Sequence, residues 1–332
     1  MRMQIPEHWA EARLVGKVKG QDRVVRRWGW SDVSAGEAQQ QADRRAAEAM
    51  AELQAGRQVP TREKKRAYGA AGFPIREQVV ARNGTDVITR NSYGARCLNV
   101  PDVLFADVDF VPRLRPALER AFTVLAWALG IAAFATALLM FWSARKGLGC
   151  AGLVASIFVP ALLFIERVRR RHRPANVKAS RDRQLAAVHA FVQRHADTRF
   201  AIYSTPAGLR VLALHATYEP AGAAARELFT ALGTDRAYAQ MCELQSCFRA
   251  RVSAKPWRIG VENIVTRSVW PVAAEMRPDR DAWIGRYEEV AQRYAACRFV
   301  EEIGASRVHP RCAAVQRMHD ELCRARSGLP LA

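Results

Sequence analysis

The chain has 332 residues, enough for two ordinary domains or for one domain carrying a large insertion. Half of the residues are apolar and a quarter are charged, which excludes bulk disorder, while 51 Lys+Arg against 32 Asp+Glu leave a net charge of +19. An arginine excess of this kind suits phosphate-bearing partners, nucleic acid or anionic lipid, although coding bias toward Ala and Arg produces the same balance. Seven cysteines at irregular spacing, with no CxxC, argue for reduced thiols on the cytoplasmic side rather than a disulfide framework. No apolar run follows Met1, so no cleavable signal peptide is expected.

Residues 1–100 read as a mixed α/β segment. Val24 to Trp30 alternates in part like a strand, and Ser34 with Glu37 forms a capping-box signature ahead of an Ala- and Gln-rich helix running to about Leu53. Gln78 to Arg82 and Asp86 to Arg90 flank Asn83-Gly84, a hairpin turn signal. Val103 to Phe110 is a β-rich run that ends in alternating carboxylates. Beyond it, Asp182 to Ala196 has helical spacing, and Phe200 to Tyr203 and Leu209 to Leu214 are short strands around Ser204-Thr205-Pro206-Ala207-Gly208. Ala221 to Leu232 is a helix stopped by Gly233, Asp235 caps a further helix, and Cys247 to Val252 is a strand. The tail, 261–332, is mainly helical, with a strand over Arg298 to Ile303.

Between these halves lie two uncharged runs. Ala121 to Trp142 spans about 22 residues, enough to cross a hydrocarbon core of ~30 Å. Gly147 to Ile165 is the second, beyond a turn at Arg145 and Lys146. The length criterion predicts a two-helix transmembrane hairpin over 121–165, making the lipid bilayer a partner. Arginine flanks on both sides place both termini in the cytoplasm.

The strand–helix–strand–strand–helix–strand order predicts an α+β fold. Its core, 101–120 and 174–260, has the split βαβ order of RRM or ferredoxin-like domains, with the transmembrane hairpin inserted after the first strand.

Asp107-Val108-Asp109 is the sharpest chemical motif. In a strand, residues i and i+2 face the same way, so the two carboxylates converge and favour a hard cation such as Mg²⁺ or Mn²⁺. The bland alternative is a strand end entering a loop, where Asp is common. Gly208 permits close backbone approach to a phosphate, with Arg210 as a bidentate donor, though any hairpin turn reads similarly. Arg249 and Arg251 share a strand face, and with Lys255, Arg258 and Trp257 they form a basic, aromatic-interleaved stretch, or simply a solvated strand. His319-Asp320 reads as a surface pair on a helix, and His215, ending a strand close to the turn, as a structural histidine or alternatively a site residue. No Walker A, GxSxG, HExxH or Rossmann fingerprint is present.

Together these stretches resemble the archaeo-eukaryotic primase-polymerase superfamily, whose RRM-like core carries a strand with DxD, then a Ser/Thr-Gly turn, then a further carboxylate. The resemblance covers Leu104 to Arg258. It implies a catalytic, metal-binding pair at Asp107 and Asp109 and nucleotide or phosphate contacts from Ser204, Thr205, Gly208, Arg249 and Lys255, to which the reading of the residues themselves adds Arg210 and Arg251. It also implies Mg²⁺ or Mn²⁺ as cofactor and nucleotide or nucleic acid as partner. The third carboxylate is open between Asp235 and Glu243, and Asp235 is more simply a helix cap. Where the family carries a histidine after the turn glycine, this chain has Arg210 and Val211. The whole chain also resembles a group of uncharacterised bacterial proteins, which implies a bacterial inner membrane. The resulting expectation is a membrane-anchored, primase-like domain with possible nucleotidyl transfer. The alternatives are a non-catalytic membrane protein whose basic domain docks on lipid or a partner, and a catalytically dead relative that binds nucleic acid.

Overall fold

A computed structural model describes residues 3–63, 73–110, 124, 177–262, 264 and 270–332. The chain divides into two compact units. Unit 1 comprises Met1–Asp109 with Val188–Ala332, and unit 2 is Phe110–Ala187. Unit 2 is described at Phe110, at Val124 and through the first part of a helix, α2 (177–194), whose remainder belongs to unit 1.

Unit 1 opens with a hairpin, β1 (His8–Val18) and β2 (Gln21–Ser31), paired antiparallel throughout. Its two-residue turn, Lys19-Gly20, has positive φ at both positions, the geometry that matches the right-handed twist of the strands. Helix α1 (Ala35–Gln54) starts where Ser34 Oγ accepts the Glu37 amide at 3.1 Å. Its buried face is Ala38, Ala42, Ala46, Ala49 and Met50, small enough for the helix to lie on the backbone of β2. A Cβ at Gly29 would stand 2.1 Å from the Ala38 carbonyl oxygen, so glycine is what permits that approach.

Two four-stranded antiparallel sheets follow. In the first, β3 (Gln78–Asn83), β4 (Asp86–Arg90), β5 (Arg96–Val100) and β9 (Phe248–Arg251) lie in the order β3-β4-β5-β9. In the second, β6 (Phe105–Asp109), β7 (Phe200–Ser204), β8 (Gly208–Ala213) and β10 (Arg298–Ile303) lie in the order β10-β7-β8-β6. Phe105, Phe200, Tyr203, Leu209 and Leu212 are fully buried and form the heart of this sheet's core. Further α-helices among the described residues are α3 (Ala223–Leu232), ended by Gly233 in the left-handed region, α4 (Arg236–Gln245), α5 (Arg277–Ala291) and α6 (Pro310–Cys323). Arg311 at the start of α6 pairs with both Asp86 and Asp102, and Asp86 is almost completely buried.

Two corrections to the expected fold class follow. The fold is α+β, but the ferredoxin-like closure is not formed. That closure puts β9 beside β6, whereas β9 pairs with β5, Val100 opposite Phe248 and Cys97 opposite Arg251. The fourth strand of the β6 sheet is β10, on the far edge of β7. Hydrophobic periodicity marks a strand but not its edge, and β5 presents an antiparallel edge that periodicity does not reveal.

The second correction concerns the membrane. Among the described residues no helix is long and apolar enough to cross one. The longest, α1, carries Glu37, Asp43, Arg44, Arg45, Glu48 and Glu52 on a 20-residue frame and buries a single alanine face. The inserted transmembrane hairpin, and the integral inner-membrane placement drawn from it, are therefore withdrawn. An uncharged run is necessary for spanning but does not by itself place a helix in a bilayer. The stretch 121–165 lies, Val124 apart, outside the described residues.

Candidate phosphate-binding site

Strand alternation does to Asp107 and Asp109 what period two requires: Ala106 and Val108 are buried while both carboxylates take the other face. Their partners differ. Asp107 stands directly opposite Arg210 in the β6–β8 register, and the guanidinium grips its carboxylate with two hydrogen bonds, Nε to Oδ1 at 2.8 Å and Nη2 to Oδ2 at 3.2 Å. Arg210 is fully buried. The pairing holds its pKa above the ordinary arginine value against the opposing effect of burial. Its remaining nitrogen, Nη1, donates to the Arg251 carbonyl at 3.0 Å and approaches His319 Nε2 at 3.2 Å.

Asp109 lies opposite Gly208 at the exposed end of β6. Partial burial raises its pKa, the like charges of Asp235 and Asp107 raise it further, and Lys255 and Arg251 oppose them. Asp235 caps α4, accepting the Tyr238 amide at 2.8 Å, while its own amide donates to the Asp107 carbonyl at 3.0 Å. The cap therefore brings a third carboxylate to the DxD strand.

The turn before Arg210 is committed internally. Thr205 Oγ1 accepts the Gly208 amide at 3.0 Å, and the Thr205 amide donates to the Gly208 carbonyl at 2.9 Å. Ser204 ends β7, paired with Leu209 and with Arg298. A Cβ on Gly208 would come within 2.0 Å of the Val108 carbonyl oxygen, so this glycine serves strand approach beside Asp109.

Arg249 and Arg251 share a face of β9 but go to different places. Arg249 is nearly buried and pairs with Glu77. Arg251 turns to a cluster with Lys255, at the entry of a short 3₁₀ turn (Pro256–Arg258), and with Arg258. Partial burial and the neighbouring cations depress the pKa of both Lys255 and Arg258, with Arg251 acting on each and Asp109 resisting. Arg251 Nε and Arg258 Nη1 are buried donors with no hydrogen-bond acceptor. Trp257 is 51% exposed, meets Tyr93 edge-on at 5.2 Å and lies 5.3 Å below Lys255 Nζ.

The donor set does not suit a three-carboxylate Mg²⁺ or Mn²⁺ centre. Both Asp107 oxygens face a guanidinium, and one Asp235 oxygen accepts the Tyr238 amide as a helix cap. Among the described residues, Asp107, Asp109 and Asp235 do not come together as a group of three ligand atoms.

One group of three does converge, and sequence reasoning passed over it. Cys297, His319 and Cys323 are fully buried, with their ligand atoms all within 4.8 Å of one another. His319 is no surface residue: its ring packs against Phe105 and Tyr203. His319 and Cys323 are four apart on α6, an i,i+4 spacing that was legible; the partner from the start of β10 was not. A hydrogen bond from Cys323 holds Cys297 far below the usual thiol range against burial, and Cys323 keeps the proton. Burial lowers the His319 pKa, but the thiolate and Asp320 carry it net upward. His215 is bonded to Arg199 and to Tyr218 OH at 2.6 Å and lines a cavity of about 760 Å³.

The fold and this site define an α+β protein with a mixed carboxylate–cation surface over a buried thiol–imidazole cluster. No family model, no curated protein and no solved structure matches the chain.

Proposed function

We propose that unit 1 binds a phosphorylated ligand, a nucleotide or a short single-stranded nucleic acid, on the surface formed by Asp109, Arg251, Lys255, Arg258, Tyr93 and Trp257. The observation that carries this reading is the crowding of three cations, two of which carry a buried N–H donor without an acceptor. Arg251 Nε and Arg258 Nη1 are unmatched, and Lys255 is depressed by both neighbours. A phosphate supplies the acceptors and removes the mutual repulsion. Trp257, half exposed and backed by Tyr93, offers an aromatic surface on which a base stacks. The net charge of +19 adds long-range attraction for an anionic ligand. Within this reading Arg210 and Arg249 are not ligand contacts, because both are paired internally. Thr205 shapes the turn that stands against Asp109.

The test is titration of the full chain with ATP and with a short oligonucleotide, followed by Trp fluorescence, at two salt concentrations and with and without Mg²⁺. Binding is expected to weaken with salt and to fall sharply in Lys255→Ala and Arg258→Ala. Affinity unchanged in both variants sinks the reading. Asp109→Asn separates direct phosphate contact from metal-mediated contact. Tighter binding without Mg²⁺ supports the cation cluster, whereas loss of a Mg²⁺-dependent component supports a metal carried by Asp109.

A further inference from the structure

Beneath the surface just described, the geometry points to a second site of different chemistry: Cys297, His319 and Cys323 form a buried binding site for a single thiophilic divalent metal ion such as Zn²⁺. Three observations carry it. The first is convergence. The two sulfurs and the imidazole nitrogen lie within 4.8 Å of one another, and Cys297 Sγ is 3.8 Å from His319 Nε2. Zinc bonds of ~2.3 Å to sulfur and ~2.0 Å to nitrogen place tetrahedral ligand atoms about 3.5–3.8 Å apart, so only a small contraction completes the set.

The second observation is the tautomer. Arg210 has donors only, so its Nη1, 3.2 Å from His319 Nε2, faces an unprotonated nitrogen; a metal would take that single lone pair in place of the Arg210 contact, leaving Nη1 to the Arg251 carbonyl. The other nitrogen, Nδ1, faces Asp320 Oδ1 at 3.3 Å. Asp320 is itself held by Arg326 Nε at 2.9 Å. This is the carboxylate–histidine arrangement that orients an imidazole toward a metal.

The third observation is charge. Two thiolates and a neutral imidazole around a divalent ion sum to zero, the state that full burial favours. The Arg210 cation beside them is already balanced by Asp107. The Arg251 carbonyl oxygen, 3.9 Å from Cys323 Sγ, offers a fourth donor. Soft sulfur donors exclude Mg²⁺ and Mn²⁺ from this site, which separates it from any role for the carboxylates above. Metal here would tie the end of α6 to the start of β10, beneath the Asp107–Arg210 pair.

The experiment is metal analysis of the full chain purified without chelator, followed by replacement of the ion with Co²⁺. One equivalent of zinc per chain is expected. The cobalt form should show sulfur-to-cobalt charge-transfer absorption that Zn²⁺ abolishes. Cys297→Ser and Cys323→Ser should each remove that absorption, while Cys247→Ala leaves it intact. Asp320→Asn should weaken affinity roughly tenfold by releasing the His319 ring. Because a cysteine variant can fail to fold, the wild-type chain supplies an independent readout: its melting temperature should rise with Zn²⁺ and fall back with EDTA. Substoichiometric zinc together with a wild-type melting temperature indifferent to Zn²⁺ overturns the proposal. So does a Cys297–Cys323 disulfide found by mass spectrometry in the freshly purified chain.

Discussion

Arg210 and His319, 109 residues apart in sequence, meet at 3.2 Å inside unit 1, and the same guanidinium grips Asp107 on its other edge. One side chain thus joins the DxD strand to the thiol–imidazole cluster.

Replacing Arg210 by Met strands Asp107 without its partner and removes a donor from the Arg251 carbonyl. Because Asp107 keeps about a third of its side-chain exposure, the expected loss lies at the lower end for broken buried pairs, about 3 kcal/mol in urea unfolding. Arg210→Lys should not restore it, since an ammonium lacks the fork that meets both oxygens. Combining Arg210→Met with Asp107→Leu should recover much of the loss. A double variant as unstable as the sum of the singles contradicts the pairing.

Asp109→Asn is expected to raise the melting temperature at neutral pH. The folded pKa of Asp109 is raised, so the fold prefers its protonated form. The stability from that preference is present below the unfolded carboxylate value and is lost as pH rises through the folded value. The asparagine variant has no charge to place among Asp107 and Asp235, so its advantage should shrink as pH falls through the carboxylate range. A pH-independent difference between variant and wild type would refute this origin.

Arg311→Leu leaves Asp86 buried opposite no cation and releases Asp102. Breaking such a pair from one side costs about 3 kcal/mol, read as a shift in denaturant midpoint at unchanged slope. A shift no larger than that of an exposed control such as Arg293→Leu would contradict the assignment.

Gly208→Ala places a methyl against the Val108 carbonyl and forces β8 from β6. Overpacking of this kind costs about 1–3 kcal/mol. If Gly208 instead served only phosphate approach, ligand affinity would fall with stability intact, so unfolding and titration on the same variant discriminate the two roles.

Much of the local structure was legible because its causes are local. The β3–β4 turn falls at Gly84-Thr85, one residue beyond the Asn83-Gly84 read for it, while Ser34 and Asp235 cap their helices and Gly233 ends α3 in the left-handed region. The long β1 strand went unread because its alternation is diluted by polar residues on an exposed face. The site was legible in part. Period two put Asp107 and Asp109 on one face, but nothing near Asp107 in sequence announces that Arg210 will occupy both of its oxygens. Nor does the basic stretch around β9 announce that Arg249 goes to Glu77 while Arg251 joins Lys255 and Arg258.

The sequence by itself determined an α+β chain with a strong positive balance and the position of its turns, caps and DxD strand. These are decided within a few residues, by φ preference, side-chain capping and alternation. Only the tertiary structure decided which edge β9 joins, which carboxylate is neutralised, and that Cys297, His319 and Cys323 converge. Those outcomes depend on strand pairing and burial between segments as much as 154 residues apart, as Cys97 and Arg251 are, where local periodicity carries no information.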